Sequence, residues 1–260
     1  MPELVEVEAY RRLLEDAGLD RRIEAVDAPD DWFLKEGLTT EAVVDALMGR
    51  RIAGAHRHGK LLVAETDGPS IGIRFGMTGR LLVDGRAGVD RLIYSSSREE
   101  LAWDRFVLHF DDGGDLRVRD PRRLGGVVLE PTTDHLGPDA ASLGVAELRD
   151  RVAASRAPLK AFLMDQSRIA GIGNLMADEA LWRAGLDPAR ETRSLSGDEV
   201  RRLHRAVRTT VDVLTRRGGS HTGDLMPHRT PGGHCPKDGT ELVRRTVGGR
   251  TTWSCPTHQT

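Results

Sequence analysis

The sequence lacks any stretch long and apolar enough to cross a membrane, and its N-terminus lacks the apolar segment of a secretory signal. It also contains no internal repeat and no low-complexity tract. These absences predict a globular cytoplasmic protein. At 260 residues, the chain is long enough to bury one large core or two modest ones.

Cysteine is scarce. Cys235 and Cys255 are the two cysteines of the sequence, and both lie in its last tenth. Two cysteines are too few for a disulfide framework. Their number and position suit a reducing compartment or a metal site that fastens the tail.

Lysine is scarce as well, with four lysines among 38 basic residues. The net charge of −2 does not indicate a nucleic-acid partner, but the two halves of the chain differ. Residues 1–133 carry 19 basic and 25 acidic side chains, whereas residues 134–260 carry 19 basic and 15 acidic ones. Arginine is the better bidentate ligand for phosphate, although we attribute most of the arginine excess to the base composition of the genome.

The pattern of apolar residues changes along the chain. An amphipathic helix over residues 3–17 is followed by short strand-like segments, broken by glycines, over residues 51–130. Such segments predict a β-sandwich or a barrel. Residues 131–140 form a linker rich in turn-forming residues, and helical periodicity follows it. We therefore predict three parts: a β-rich domain over 1–133, a helical domain over 134–219 and a hairpin over 220–260.

Pro2 and Glu3 form the first candidate site. A small second residue normally allows removal of Met1, which would leave Pro2 as the amino terminus. A free α-amine titrates near about 7.7–8.0, so part of it is neutral at cellular pH and can form a Schiff base. Glu3 adds a carboxylate for proton transfer, and Glu6 follows one helical turn later. The alternative interpretation is structural, with a proline and acidic residues that suit the start of a helix.

The tail has the spacing of a zinc ribbon. Two residues separate Cys235 from Asp238, and two separate Cys255 from His258. The usual ligands are four cysteines, but carboxylate oxygen and imidazole nitrogen also bind Zn²⁺. His234 is a rival to Asp238, although it is adjacent to Cys235, where both side chains could hardly converge. We predict one structural zinc ion; the alternative is a hairpin that has lost its metal.

Asn174 lies where a helix follows the glycine-rich connection SRIAGIGN. Backbone N–H groups at a helix N-terminus suit a phosphate, and the Asn174 amide adds a donor. Spacing alone favours a simpler interpretation, an N-cap residue in an ordinary helix–turn–helix.

The sequence resembles the formamidopyrimidine-DNA glycosylase / endonuclease VIII family of base-excision repair enzymes. The resemblance covers nearly the whole chain and includes a tail similar to the family's zinc finger. The other matching stretches are MPELVEVE, HRHGKLLV, FGMTGRL, DPRRLGG and GIGNLMADEALWRAGLDP.

This resemblance implies an α+β fold of two domains: an N-terminal β-sandwich with flanking helices, and a C-terminal helix–two-turn–helix domain with a zinc-finger hairpin. It also implies a monomeric DNA glycosylase with AP lyase activity, acting on double-stranded DNA that contains damaged bases or abasic sites. Pro2 would attack C1′ of the extruded nucleoside, and Glu3 would protonate the sugar ring oxygen. β,δ-Elimination would then cut the strand on both sides of the abasic site.

The DNA contacts implied by the resemblance fall into two sets. The ligands of the phosphates around the extruded nucleotide would be Lys60, Asn174 and Arg250. The side chains that fill the gap in the duplex would be Met77, Arg122 and Leu124. Taken singly, each has an ordinary alternative, such as a core methionine, a turn lysine or a solvated arginine.

Four departures from the family pattern affect these expectations. One is the mixed ligand set of the tail, and another is Val5 in place of the second proline of the N-terminal motif. Leu124 replaces the phenylalanine that normally wedges between bases, and stacks less well. Only 14 residues separate Ser220 from Cys235, whereas purine-specific members carry a longer loop here that closes over 8-oxoguanine. We therefore favour a formamidopyrimidine or an oxidised pyrimidine as substrate.

Two other functions compete with the enzyme. The altered wedge and the short connection favour a protein that binds damaged or abasic DNA with little or no glycosylase activity. A zinc-ribbon interaction module without any chemistry is the third. The intact Pro2, Glu3 and Lys60 favour the enzyme.

Overall fold

The computed structural model describes residues 2–93, 95, 96, 98 and 100–260. The chain divides into two compact units, and the boundary lies between Thr133 and Asp134. Met1, whose removal we expect, lies outside the described residues. Within the described ranges, no helix is long and apolar enough to span a membrane.

The first unit combines two helices with two antiparallel sheets. Helix α1 spans Leu4–Ala17 and helix α2 spans Thr40–Leu47. The strands of the four-stranded sheet, in spatial order, are β2 (Ile52–His58), β3 (Leu61–Thr66), β4 (Ile71–Arg74) and β9 (Gly126–Leu129). The strands of the five-stranded sheet, in spatial order, are β1 (Ile23–Asp27), β7 (Asp104–Phe110), β8 (Asp115–Arg119), β5 (Arg80–Val83) and β6 (Arg86–Ala87).

The two sheets share one core with α1, which confirms the predicted β-sandwich flanked by helices. In β7, Phe106, Leu108 and Phe110 alternate along the strand and are buried, as a period of two requires for a face that packs inward. Tyr10 of α1 reaches the same core, where its ring lies 4.5 Å from that of Phe75. Burying each such side chain stabilises the unit by about 1.5–3 kcal/mol.

The second unit is helical and ends in a hairpin. Its elements are α3 (Val145–Ala153), α4 (Leu159–Met164), α5 (Asn174–Ala184), α6 (Gly197–Arg217), β10 (Val243–Val247) and β11 (Arg250–Ser254). Helix α6 begins after Ser196, which forms a capping box with Glu199, and ends at Gly218 with φ +89°.

Helix α5 is the centre of this unit. Nearly all of its residues are buried, and it packs against α4, α6 and β11. The base of the hairpin has its own small core, which contains Trp182 of α5, Trp253 of β11 and both cysteines. The helix therefore carries Asn174 at its start and supports the candidate metal site near its end.

Candidate active site and metal centre

Pro2 is buried and directly precedes Glu3, which is the N-cap residue of α1. The backbone N–H of Glu3 donates to Oε2 of Glu6 at 2.7 Å, and both carboxyl groups are almost fully buried. Glu3 and Glu6 form a capping box, so the structural interpretation of these acids is correct as far as it goes. The same arrangement holds a carboxyl group next to residue 2 in a fixed geometry, which a proton donor requires.

Lys60 lies with Gly59 in the turn between β2 and β3. Arg57 donates to the carbonyl of Gly59 at 3.3 Å and to Oε2 of Glu8 at 3.1 Å. Burial alone would raise the pKa of Glu8, but hydrogen bonds from Arg11 and Arg57 outweigh it and lower that pKa to about 2. Glu8 is therefore a permanent anion that fastens the hairpin carrying Lys60 to the helix that follows Pro2 and Glu3.

The FGMTG turn, which carries Met77, contacts the DPRRLGG loop, which carries Arg122 and Leu124. Thr78 Oγ1 donates to Asp120 Oδ1 at 2.5 Å, and both residues are buried. Gly76 has φ +55°, and a Cβ there would meet the carbonyl carbon of Leu124 at 2.4 Å. Only glycine permits this approach, so the structure places the two predicted gap-filling segments side by side.

Asp120 also shapes the loop that follows it. Its Oδ2 accepts the backbone N–H groups of Leu124 and Gly125, each at 2.8 Å, and its Oδ1 accepts that of Arg122 at 3.2 Å. The side chains of Arg122 and Leu124 remain exposed, Leu124 by 51%. Among the described residues, the Arg122 guanidinium has no hydrogen-bond acceptor. The loop therefore has a fixed backbone conformation and exposes one charged and one apolar side chain.

Gln166 organises the connection that leads into α5. Its amide donates to the carbonyl of Ile172 at 3.0 Å and accepts the N–H of Gly171 at 2.9 Å. Asn174 is the first residue of α5 and is half-buried, and none of the described residues donates to its Oδ1. The Asn174 side chain is therefore not held by a protein hydrogen bond at Oδ1.

Arg250 is the first residue of β11 and follows Gly248 and Gly249, which both have positive φ. The Arg250 side chain is exposed, and no described residue accepts a hydrogen bond from its guanidinium. A Cβ at Gly248 would lie 2.7 Å from the Cβ of Ala161, so the tip of the hairpin packs closely on α4.

A buried network of charges fixes β11 behind Arg250. Lys160 of α4 donates to the carbonyl of Thr251 at 2.8 Å and to Thr252 Oγ1 at 2.9 Å. Asp178 of α5 forms ion pairs with Lys160 and with Arg229, at 2.7 and 2.8 Å. The network ties the helix that begins with Asn174 to the strand that begins with Arg250.

Cys235, Asp238, Cys255 and His258 converge at the base of the hairpin. One ligand atom from each lies within 4.8 Å of all the others, as a single metal ion would require. His234 is exposed and lies outside this cluster, so the geometry favours Asp238 in the rivalry between the two. The donor set of two thiols, one imidazole and one carboxylate suits Zn²⁺.

Trp182 supports this cluster from α5. Its indole N–H donates to Cys235 Sγ at 3.3 Å, and its carbonyl lies 3.1 Å from His258 Nε2 and 2.9 Å from Lys237 Nζ. An Nε2–H that donates to this carbonyl leaves Nδ1 to face the metal position, which is the usual role of such outer contacts. The cluster therefore has the second layer of hydrogen bonds that a metal site needs.

Sequence reasoning missed the residues that position the site. Asp120 carried a usable signal, because an aspartate before proline often accepts N–H groups of the turn that follows it. Thr78, Asp178 and Trp182 carried no comparable signal, since their partners lie far away in the sequence.

A β-sandwich unit followed by a helical unit with a glycine-rich turn and a Cys/His hairpin is the architecture of a class of DNA glycosylases. Residues 1–127 match the model of the formamidopyrimidine-DNA glycosylase N-terminal domain, and residues 136–224 match the H2TH domain of the same proteins. The chain belongs to the formamidopyrimidine-DNA glycosylase family, which confirms both the resemblance and the expected enzyme class.

Two bacterial relatives match over nearly their whole length. The formamidopyrimidine-DNA glycosylase of Heliobacterium modesticaldum is 34% identical, with 98% of this chain and 99% of that protein covered. The protein of the same name from Geobacillus kaustophilus is 31% identical, with 98% of each covered. The Lactococcus lactis Fpg protein in complex with DNA containing N7-benzyl-Fapy-dG superimposes with a TM-score of 0.85 at 26% identity, over 99% of each chain.

Proposed function

We propose that the protein removes oxidised bases from double-stranded DNA and then cleaves the abasic site, using Pro2 as the nucleophile. The observation that carries this proposal is the position of Pro2 directly before Glu3, whose backbone N–H is held by the Glu6 carboxylate at 2.7 Å. The only groups needed are a secondary amine and a carboxylic acid. Both stand at the start of one helix.

The proposed reaction begins when the Pro2 nitrogen attacks C1′ of the extruded nucleoside. The N-glycosidic bond breaks, its electron pair leaves with the base, and the proton lost by the Pro2 nitrogen neutralises the departing base. Glu3 protonates the ring oxygen O4′, the sugar opens, and C1′ becomes the carbon of a Schiff base with Pro2. Loss of a C2′ proton then breaks the C3′–O bond, and δ-elimination breaks the C5′–O bond.

The proposed DNA contacts fall into two sets, one to phosphates and one to the gap in the duplex. Lys60, Asn174 and Arg250 each offer N–H donors to phosphates, which fix the position of DNA without reading its sequence. Met77, Arg122 and Leu124 lie on two adjoining loops and would occupy the space left by the extruded nucleotide. The hydrogen bonds of Asp120 fix the backbone of the DPRRLGG loop before DNA binds.

Zinc would be held by Cys235, Asp238, Cys255 and His258, and its contribution is structural: it cross-links the two ends of the hairpin. The protein residues do the rest. Trp182 orients two of the ligands, and the hairpin presents Arg250 at its tip.

The short connection after α6 supports a substrate other than 8-oxoguanine. Glu179 accepts the backbone N–H groups of Asp224 and Leu225, at 3.0 and 2.9 Å, and the Leu225 side chain is fully buried. A segment fastened in this way has little freedom to close over 8-oxoguanine. A formamidopyrimidine or an oxidised pyrimidine is the substrate that we favour, and solved structures of the Lactococcus lactis protein hold Fapy-dG DNA.

Borohydride trapping on duplex DNA with an abasic site tests the proposal, because reduction converts the Schiff base into a permanent crosslink. We expect a crosslink that maps to Pro2 in protein shown by mass spectrometry to lack Met1. Glu3→Gln should abolish base excision while DNA binding persists, and Glu15→Gln, farther along α1, serves as the matched control. No crosslink would favour the alternative, a binding protein on the same scaffold. Normal excision by Glu3→Gln would instead contradict the role of Glu3 as proton donor.

A further inference from the structure

Trp32 is a large apolar side chain left on the surface, with 67% of it exposed. Single exposed apolar residues are common and need no explanation by themselves. Trp32, however, lines a surface pocket together with Arg122 and Arg123, and Arg122 is one of the proposed gap-filling residues. Its neighbours therefore distinguish it from an ordinary exposed side chain.

The position of Trp32 is fixed by the residues around it. It lies in the short 3₁₀ turn Asp31–Phe33, and Phe33 points inward and is fully buried. A Cβ at Gly125 would lie 3.2 Å from the Phe33 ring, and the N–H of Lys35 donates to the carbonyl of Val127 at 2.9 Å. The Trp32 segment is thus anchored to the last residues of the DPRRLGG loop and to the start of β9.

The charges around the indole are mostly positive. Lys35 Nζ lies 4.8 Å from the centre of the Trp32 ring, and the exposed Arg122 borders the same pocket. The Asp30 carboxylate forms an ion pair with Arg123 at 2.5 Å, and the Asp31 carboxylate accepts a hydrogen bond from Thr40. Aromatic rings between basic side chains are typical of surfaces that bind nucleic acid, where the ring stacks on a base or sugar and the cations meet phosphates.

We infer that Trp32 is a further DNA-binding residue that packs against the undamaged strand next to the orphaned base. This inference rests on the proposed function, in which Arg122 would face the orphaned base, the one opposite the extruded nucleotide, and Leu124 would wedge beside it. Leucine at position 124 offers no ring for stacking, and Trp32 supplies an aromatic surface on the adjoining segment. The partner is thus a base or deoxyribose of the strand that is not cut.

Comparing duplex with single-stranded DNA tests the inference, with the same abasic strand in both. Trp32→Ala should weaken binding of the duplex at least about fivefold, the lower end of the effect of one aromatic stacking contact. It should leave binding of the single strand unchanged, and Trp32→Phe should retain most of the duplex affinity. Met48→Ala, a change at another exposed apolar side chain of the same unit, is the matched control.

Fluorescence gives a second measurement that does not depend on the stability of the alanine variant. Trp182 and Trp253 are buried and Trp103 is half-buried, so acrylamide should quench mainly Trp32. Duplex DNA should protect this emission, and the protected component should be missing in Trp32→Phe. Equal duplex affinity of Trp32→Ala and wild type, an equal loss on both DNAs, or unprotected Trp32 emission would each overturn the inference. Pro2 crosslinking to the single strand is unaffected by these outcomes, so a failure here is distinct from a failure of the proposed chemistry.

Discussion

Lys160 Nζ lies 2.7 Å from Asp178 Oδ1, and both side chains are fully buried. Asp178 is also the partner of Arg229, so one carboxylate faces two cations away from water. Removing charges from water is costly, and such a group persists only where its charges remain paired. In this protein the group joins α4 and α5 to the hairpin that presents Arg250.

We predict that Asp178→Asn destabilises the protein by about 3–5 kcal/mol, because it leaves Lys160 and Arg229 buried without their counter-ion. The substitution preserves the size of the side chain, so lost packing does not account for the effect. Denaturant unfolding of the purified variant measures it.

The matched control for this change is Asp150→Asn, which breaks an exposed pair with Arg149. Exposed pairs contribute about 0–1 kcal/mol. If the two variants unfold at the same denaturant concentration, the buried network is not a stabilising element.

Much of the fold follows from local signals in the sequence. Ser196, Glu199 and Gly218 fix the bounds of α6 through capping chemistry. The glycine-containing turn at Asp112–Gly114, which connects β7 to β8, is also a local signal. Helix α3 was not predicted. Gly144 precedes it without a side-chain cap, and only Leu148 and Val152 are buried along it, which is too weak a pattern to detect.

The site was predicted through motifs, and its supporting contacts were not. The motif MPELVEVE and the spacing of Cys235 from Asp238 can be recognised in the sequence. In both cases the residues that act together lie within a few positions of each other. Thr78 and Asp120 lie 42 residues apart, and nothing in either motif indicates their contact. Likewise, the sequence does not reveal that Phe33 is buried whereas its neighbour Trp32 is exposed.

The metal centre gives a second prediction. Elemental analysis should find one zinc ion per chain, and Cys255→Ser should lose it. Chelation should change Trp182 emission, because its indole donates to Cys235, and should weaken DNA binding through the hairpin. Asp238→Cys should slow the loss of zinc to a chelator, since a thiolate is a softer ligand than a carboxylate.

His234→Ala is the control for these variants, because His234 is exposed and lies outside the ligand cluster. It should keep one zinc ion. A purified protein without metal, or loss of zinc in His234→Ala alone, would contradict the ligand set.

A third prediction concerns the phosphate contact of Arg250. The logarithm of the observed binding constant falls linearly with the logarithm of the salt concentration. The slope is about −0.9 for each phosphate neutralised on duplex DNA. Arg250→Ala should therefore weaken binding and reduce that slope by about one unit. Arg244→Ala, an exposed change on the facing strand β10, should leave the slope as in wild type. A slope unchanged by Arg250→Ala would exclude the contact.

The last prediction uses the pH dependence of Glu8. Burial raises the pKa of this carboxyl group, but hydrogen bonds from Arg11 and Arg57 lower it to about 2, against an ordinary value of 4.5. Because the folded-state pKa is the lower one, Glu8 stabilises the protein fully above pH 4.5, and this stabilisation is lost as the pH falls towards 2. The difference in unfolding free energy between wild type and Glu8→Gln should therefore be constant above pH 4.5 and shrink below it. Glu24→Gln, at an exposed side chain of β1, is the matched control for a change from glutamate to glutamine. The Glu8 variant should also bind abasic DNA more weakly above pH 4.5, because Arg57 then holds the Lys60 turn less firmly. A pH-independent difference in stability, together with normal DNA binding, would refute this role of Glu8.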